Sequence, residues 1–307
     1  MEKRGIEFSF TWLFAIIIGI VILVLAIYAA TKIISTGKTE TGTAAAKEIG
    51  VLLNPLETGF EEGKTSSLSI ATDTRIYNGC DNFGNFGNQN IQTAQKTFGK
   101  FSEPSVEVSF PNKYIFSSEF EEGKQFYIFS KPFEFPFKVS DLIYLSSANK
   151  KYCFIDAPEN IEEELDKIGQ DNLLTGNCSA SSGMIRVCFG TGSCDMRVRY
   201  GLGYVEKNNQ TGKIYFETDA LMYAAIFSDK DIYECQAKRL MSRAEELANI
   251  YEKKANLLSQ KDCNSNLDIS TFRILLDEYN ESSDLSPIFV KSEEIKQQNE
   301  VSSCSLW

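Results

Sequence analysis

The sequence predicts an α+β protein: an N-terminal transmembrane helix, then a disulfide-stabilised ectodomain of antiparallel sheet and helices. Three patterns carry this expectation. Phe8 to Thr31 runs 24 residues without a charge. Val106 to Leu145 alternates apolar and polar residues with the period of 2 that marks half-buried strands, and Asp219 to Ser259 repeats apolar residues every three or four positions, as a helix does. All eight cysteines, Cys80, Cys153, Cys178, Cys188, Cys194, Cys235, Cys263 and Cys304, follow the charge-free stretch.

Taking the elements in order, a helix over Phe8–Thr31 is about 36 Å long, enough to cross a hydrocarbon core of about 30 Å. The stretch ends Ile27-Tyr28-Ala29-Ala30, without the small-x-small pattern of a cleaved secretory signal, so it reads as a retained anchor. Trp12 and Tyr28 stand where interfacial aromatics belong. This divides the chain into a cytoplasmic leader (1–7), a transmembrane helix (8–31), a juxtamembrane hinge (32–43) and an extracytoplasmic domain (44–307). Flanking charge leaves the orientation open, because Lys3 and Arg4 on one side face Lys32, Lys38 and Lys47 on the other. The cysteines decide it: an even number with no Cys-x-x-Cys pair reads as a disulfide framework in an oxidising compartment. The expected location is therefore the cell membrane, single-pass, with the N-terminus cytoplasmic and the body outside. Three glycosylation sequons, at Asn177, Asn209 and Asn280, are about as many as composition gives by chance and carry no weight at this stage. Ala15, Gly19, Ala26 and Ala30 share one helix face, where small residues let another helix approach. The expected partners are the bilayer, through this helix, and a second copy or another membrane or surface protein.

The first residues, Met1-Glu2-Lys3-Arg4-Gly5-Ile6-Glu7-Phe8, form a short basic leader that ends in glycine before the apolar stretch. This start resembles an archaeal type IV prepilin signal. The resemblance implies recognition of Lys3, Arg4 and Gly5 by a peptidase that cuts after Gly5, leaving Ile6 as the new N-terminus of a filament subunit. The pattern departs from many pilins at Phe10, where they carry glutamate. The remainder resembles uncharacterised membrane-anchored archaeal proteins, which imply no function.

Within the ectodomain, Ala44 to Leu53 is helix-compatible until Asn54-Pro55 stops it. Ser66 to Tyr77 is strand-like, and Asn78 to Asn90, rich in Asn and Gly, reads as a loop. Inside the alternating region, Phe133, Phe135 and Phe137 share a face that reads as core, and Pro136 removes a ladder donor, which predicts an edge strand. Asp156-Ala157-Pro158-Glu159 reads as an Asp-capped helix start leading to Gly169. Ile185–Cys188 and Cys194–Tyr200, around Gly190-Thr191-Gly192-Ser193, read as a β-hairpin that brings Cys188 opposite Cys194, and a disulfide is expected there. The helical stretch from Asp219 breaks near Ser228-Asp229, then carries Leu240, Ala244, Leu247, Tyr251 and Leu258 as one stripe. A helix from Cys235 to Ser259 holds Cys235 about 36 Å or more from Cys263. Cys263 is better matched to Cys304, with a final helix around Thr271–Tyr279 between them; the pairing of the other four stays open.

Composition limits the chemistry. A net charge of −11 excludes nucleic acid as a partner. The absence of histidine excludes the Ser-His and Cys-His nucleophile pairs and every His-ligated metal site. The loop Asp262–Asp268 begins like an EF-hand but has Leu267 where glycine is needed and Arg273 where a bidentate glutamate is needed. No catalytic, cofactor-binding or metal-binding residue is nominated. The expected function is that of a non-enzymatic, membrane-anchored surface protein, structural or partner-binding. The alternatives are a pilin-like subunit processed after Gly5 and a membrane-tethered, carboxylate-dependent enzyme of glycosidase type.

Overall fold

The structure is a computed structural model that describes residues 12, 14–30, 32, 49, 65–82, 86–176, 178 and 183–307. From Thr65 onward, two β-sheets clasp a short buried helix, and three further helices close one side. The first sheet holds β1 (Thr65–Asp81), β2 (Asn88–Thr97), β3 (Lys100–Phe101), β4 (Val108–Phe110), β5 (Ile115–Phe116), β6 (Phe120–Glu134) and β7 (Lys138–Ser147). Its order is β3-β2-β1-β6-β7-β5, with β4 pairing β2. The second sheet holds β8 (Lys151–Ile155), β9 (Leu173–Thr175), β10 (Met184–Cys188), β11 (Met196–Arg199), β12 (Tyr204–Lys207) and β13 (Lys213–Tyr215). Its order is β13-β12-β11-β10-β8-β9. Helix α1 (Glu159–Ile168) links β8 to β9, and α2 (Asp219–Phe227), α3 (Lys230–Ser259), α4 (Ile269–Asp277) and α5 (Leu285–Val301) follow the strands.

The first sheet is buried on both faces along β7 and the second half of β6, which carry apolar residues in both alternations. Phe126, Ile128, Ile143 and Leu145 join Ile49, Ile76, Ile91 and Ile115 in one cluster, while Phe129, Phe133, Leu142 and Tyr144 join the main core. Helix α2 is apolar all round, the pattern of a helix enclosed on every side. Ala220 through Phe227 are all buried. Phe227 meets Phe129 of the first sheet at 5.5 Å between ring centroids and Tyr152 of the second at 4.7 Å. Thr218 caps the helix by accepting from Leu221 N–H.

The transmembrane helix expected over Phe8–Thr31 is corrected: no helix among the described residues is long and apolar enough to cross a membrane. The longest unbroken described stretch there, 14–30, is helical. The fold is a mixed α+β body with two sheets. The sheets are also not purely antiparallel, since β5 runs parallel to β7 and β10 runs parallel to both β8 and β11.

The last pairing replaces the hairpin expected around Gly190. Residues 189–195 loop back so that Val187 lies beside Met196 in parallel register. Asp195 fastens the return, its N–H donating to Arg186 O and its carboxylate accepting from Arg186 N–H at 2.8 Å. Pro136 does not mark an edge strand. It sits after a cis bond in the turn joining β6 to β7, where no ladder donor is needed. Phe133, Phe135 and Phe137 are buried, as expected. Helix α1 is capped at Pro158 without a side-chain bond, two residues beyond the expected Asp156, and ends at Gly169 in the left-handed region. The break at Ser228-Asp229 and the stripe of α3 are as read, while α5 was not foreseen.

Candidate functional site

Two neighbouring surfaces stand out. The first is an arginine–aromatic platform at one end of the first sheet. In β1, Arg75 and Tyr77 point to the same side, and the register sets them beside Glu122 and Phe120 of β6. The Arg75 guanidinium lies 4.4 Å from the Phe101 ring centroid and 4.7 Å from that of Phe120. Its Nε donates to Glu122 Oε1 at 2.6 Å, and its Nη1 to the Tyr77 hydroxyl at 3.3 Å. These bonds hold the Arg75 pKa above its ordinary value. Phe120 is 41% exposed. Phe98 occupies the two-residue turn between β2 and β3, whose short second strand carries Phe101, and is fully solvent-exposed at 105%. Phe98 and Gly99 have φ of 50° and 79°, both positive as a type I′ hairpin requires. Asn, Asp or Gly suits the first of these positions, and a phenylalanine there is strained.

The second surface is a polar groove that begins at Phe120. Two cavities of about 550 and 720 Å³ share Glu119, Asn209 and Asp229 and so form one depression where the sheets meet. Its walls come from the loop before β6, the β7–β8 turn, the β12–β13 turn and the start of α3. Asp229 holds the walls together. One carboxylate oxygen accepts from Glu119 N–H at 2.8 Å, and the other from Gln210 Nε2 at 2.6 Å. Gln210 in turn accepts from Lys230 N–H at 2.9 Å. Beneath lies buried Lys207, whose ammonium donates to the Ile226 carbonyl at 3.0 Å and to the Ser228 carbonyl. Burial pushes its pKa down to about 7, with Asp229 opposing and Lys150 adding to the shift. Lys150 itself pairs with the buried Glu121 at 2.6 Å.

At the far end of the groove, the Cys80–Cys235 bond ties β1 to α3, and Arg239 one turn further on is buried. Arg239 donates to the carbonyls of Phe86, Lys113 and Pro111 and to Gln236 Oε1. A separate cleft of about 430 Å³ is lined by Tyr200, Glu217, Asp219 and Ser286. There Asp219 accepts from the Tyr200 hydroxyl at 2.9 Å, and burial raises the Glu217 pKa.

Of the residues singled out in the sequence, Cys188–Cys194 and Cys263–Cys304 are bonded, and the four left open pair as Cys80–Cys235 and Cys153–Cys178. Four disulfides place the folded body in an oxidising, extracytoplasmic compartment. Ala15, Gly19, Ala26 and Ala30 are helical and exposed. The expected processing site, Lys3, Arg4, Gly5 and Ile6, lies outside the described residues, as does the hinge apart from Lys32. The EF-hand-like loop has another use: Asp268 caps α4, accepting from Thr271 N–H, and pairs with Lys291 at 3.0 Å. Among the described residues, no group of three or more His, Cys, Asp or Glu is placed to hold a metal. Sequence reading missed the platform altogether, although Thr97-Phe98-Gly99-Lys100 carries the glycine of a two-residue turn between strands. Comparison with family models, curated proteins and solved structures gives no match for this chain.

Proposed function

We propose that the folded body is a non-enzymatic, partner-binding domain of the extracytoplasmic surface, and that it docks another protein through the Arg75 platform. Phe98 carries this reading. A large apolar ring is fully exposed to water at a turn position where its backbone conformation is also unfavourable. Folding alone selects asparagine or glycine there, so the ring points to contact with something outside the chain. Arginine and aromatic residues are also the types enriched at protein interfaces and their hot spots. The test places a photo-crosslinking residue at position 98 in cells that make the protein, with a second at exposed Val290 on α5 as reference. The expected result is one adduct of defined mass from position 98, absent from position 290 and lost when Phe101 and Phe120 are changed to serine. Equal labelling from both positions would refute the reading.

A specific observation favours a second reading, self-assembly as a pilin-like subunit processed after Gly5. Residues 14–30 are helical, almost wholly apolar and exposed, and among the described residues nothing beyond the helix's own backbone lies within 4 Å of where a Cβ on Gly19 would stand. The face of Ala15, Gly19, Ala26 and Ala30 is thus open to another helix. The mass of the natural N-terminus decides: loss of residues 1–5 supports this reading, and an uncut Met1 removes it.

A further inference from the structure

We infer that Asn209 is an N-linked glycosylation acceptor and that the other described sequon, at Asn280, is not. The sequence presents Asn209-Gln210-Thr211 and Asn280-Glu281-Ser282 on equal terms. The fold separates them. In the transfer, the Asn side-chain nitrogen attacks the anomeric carbon of a saccharide carried as a polyprenyl diphosphate. A C–N bond forms, the anomeric C–O bond breaks with its electron pair leaving on the diphosphate, and the nitrogen gives up one proton. In a folded substrate, both the amide nitrogen and the hydroxyl two residues on must therefore be within reach of the transferase.

Asn209 meets both conditions. It lies exposed in the turn between β12 and β13, and Thr211 is exposed beside it. The bonds that shape this turn come from its neighbours. Asn208 Nδ2 donates to Cys194 O at 2.5 Å, and both ends of the Gln210 amide are engaged with Asp229 and Lys230. The turn is thus rigid without drawing on the Asn209 side chain, which lines both cavities of the groove. A first sugar on Asn209 would lie against Glu119, Asn149 and Lys150, which offer hydrogen-bond donors and acceptors, and near the Phe120 ring.

Asn280 is itself exposed but fails the second condition, because its hydroxyl partner Ser282 is buried. Its Nδ2 already donates to Glu278 O at 2.9 Å. Ser282 is 2% exposed, and its hydroxyl donates to Glu234 Oε1 at 2.6 Å while accepting from Tyr215 N–H at 3.1 Å. Reaching that hydroxyl would require pulling the α4–α5 connection off β13 and α3. The disulfide-forming compartment of the body is also the side of the membrane on which such glycans are found.

The inference does not depend on the partner-binding reading, and its test uses the full chain purified from the cells that naturally produce it. After reduction and trypsin, Asn209 falls in the peptide 208–213 and Asn280 in 274–291. Mass spectrometry is expected to find 208–213 heavier by whole sugar residues and 274–291 at its bare mass. In the same cells, Thr211→Ala should abolish the added mass and Thr211→Ser should keep it. A bare 208–213 peptide in the natural chain, or sugar on 274–291, would overturn the inference.

Discussion

At the scale of single residues, Lys207 shows how a side chain's neighbours set its chemistry. In sequence it is an ordinary lysine at the end of a strand, and its burial arises only when the C-terminus of α2 settles over it. That helix end suits a cation, since it presents carbonyls and a negative dipole end. Burial still dominates and brings the folded pKa to about 7, against an ordinary value of 10.5. Between those pH values the unfolded chain binds more protons than the folded one, so stability rises with pH across the window. From pH 7 to pH 9 the gain is roughly 2 kcal/mol at 1.4 kcal/mol per unit. Above pH 10 the buried tyrosines act in the opposite sense, because Tyr144, Tyr152 and Tyr233 have raised pKa values and resist ionisation in the fold. Lys207→Met should flatten the slope between pH 7 and 9 in urea unfolding; an unchanged slope would assign it to other groups. Phe98 supplies the complementary case. Phe98→Asn should raise stability by on the order of 1 kcal/mol, because asparagine accepts the left-handed turn conformation, while abolishing the position-98 contact. A loss of stability would mean the ring serves the fold.

At the scale of elements, some local readings match the structure, while the Asp156 cap, the Pro136 edge strand and the full extent of the Asn78–Asn90 loop do not. The strands of the alternating region, the break before α3 and the pairings Cys188–Cys194 and Cys263–Cys304 depend on nearby residues. Long-range closure was not legible. Nothing near Gly190 distinguishes an antiparallel hairpin from the parallel return actually made, because the choice is set by β10 lying against β8, some thirty residues earlier in the chain. The Arg75 platform escaped notice for the same reason: its arginine and three rings sit on three different strands, β1, β3 and β6. Helix α5 was hidden because its polar residues break the apolar stripe, and Ser292 and Asn299 are buried within it. The disulfides offer a quantitative check on closure. Cys80 and Cys235 are 155 residues apart, and Cys188 and Cys194 only 6. Loop-closure entropy then assigns about 5 kcal/mol to the first bond and about 2 kcal/mol to the second. Double replacement of each pair by serine, followed by urea unfolding of the otherwise oxidised protein, should reproduce that order. The reverse order would show that strain or residual unfolded structure outweighs closure.

At the scale of the whole molecule, the question is whether two sheets make one cooperative body. Each sheet alone would expose a broad apolar face, and α2 is what both faces share. Tyr144 of the first sheet donates its hydroxyl to Ala220 O at 2.8 Å, and Tyr152 of the second packs its ring on Phe227. The polar groove repeats the connection outside the core, where Asp229 fastens a first-sheet loop to a second-sheet turn. Removing α2 packing should therefore weaken both sheets at once. Phe227→Ala leaves a cavity facing Phe129, Tyr144 and Tyr152 and should cost about 3–5 kcal/mol. Calorimetry of the oxidised body should show one transition in the natural sequence and one, at lower temperature, in the variant. Hydrogen exchange should accelerate in β6–β7 and β8–β10 together. If β8–β13 instead melts in a separate earlier step while β1–β7 keeps its protection, α2 belongs to the first sheet alone, and the second is a satellite held by the Asp229 fastening.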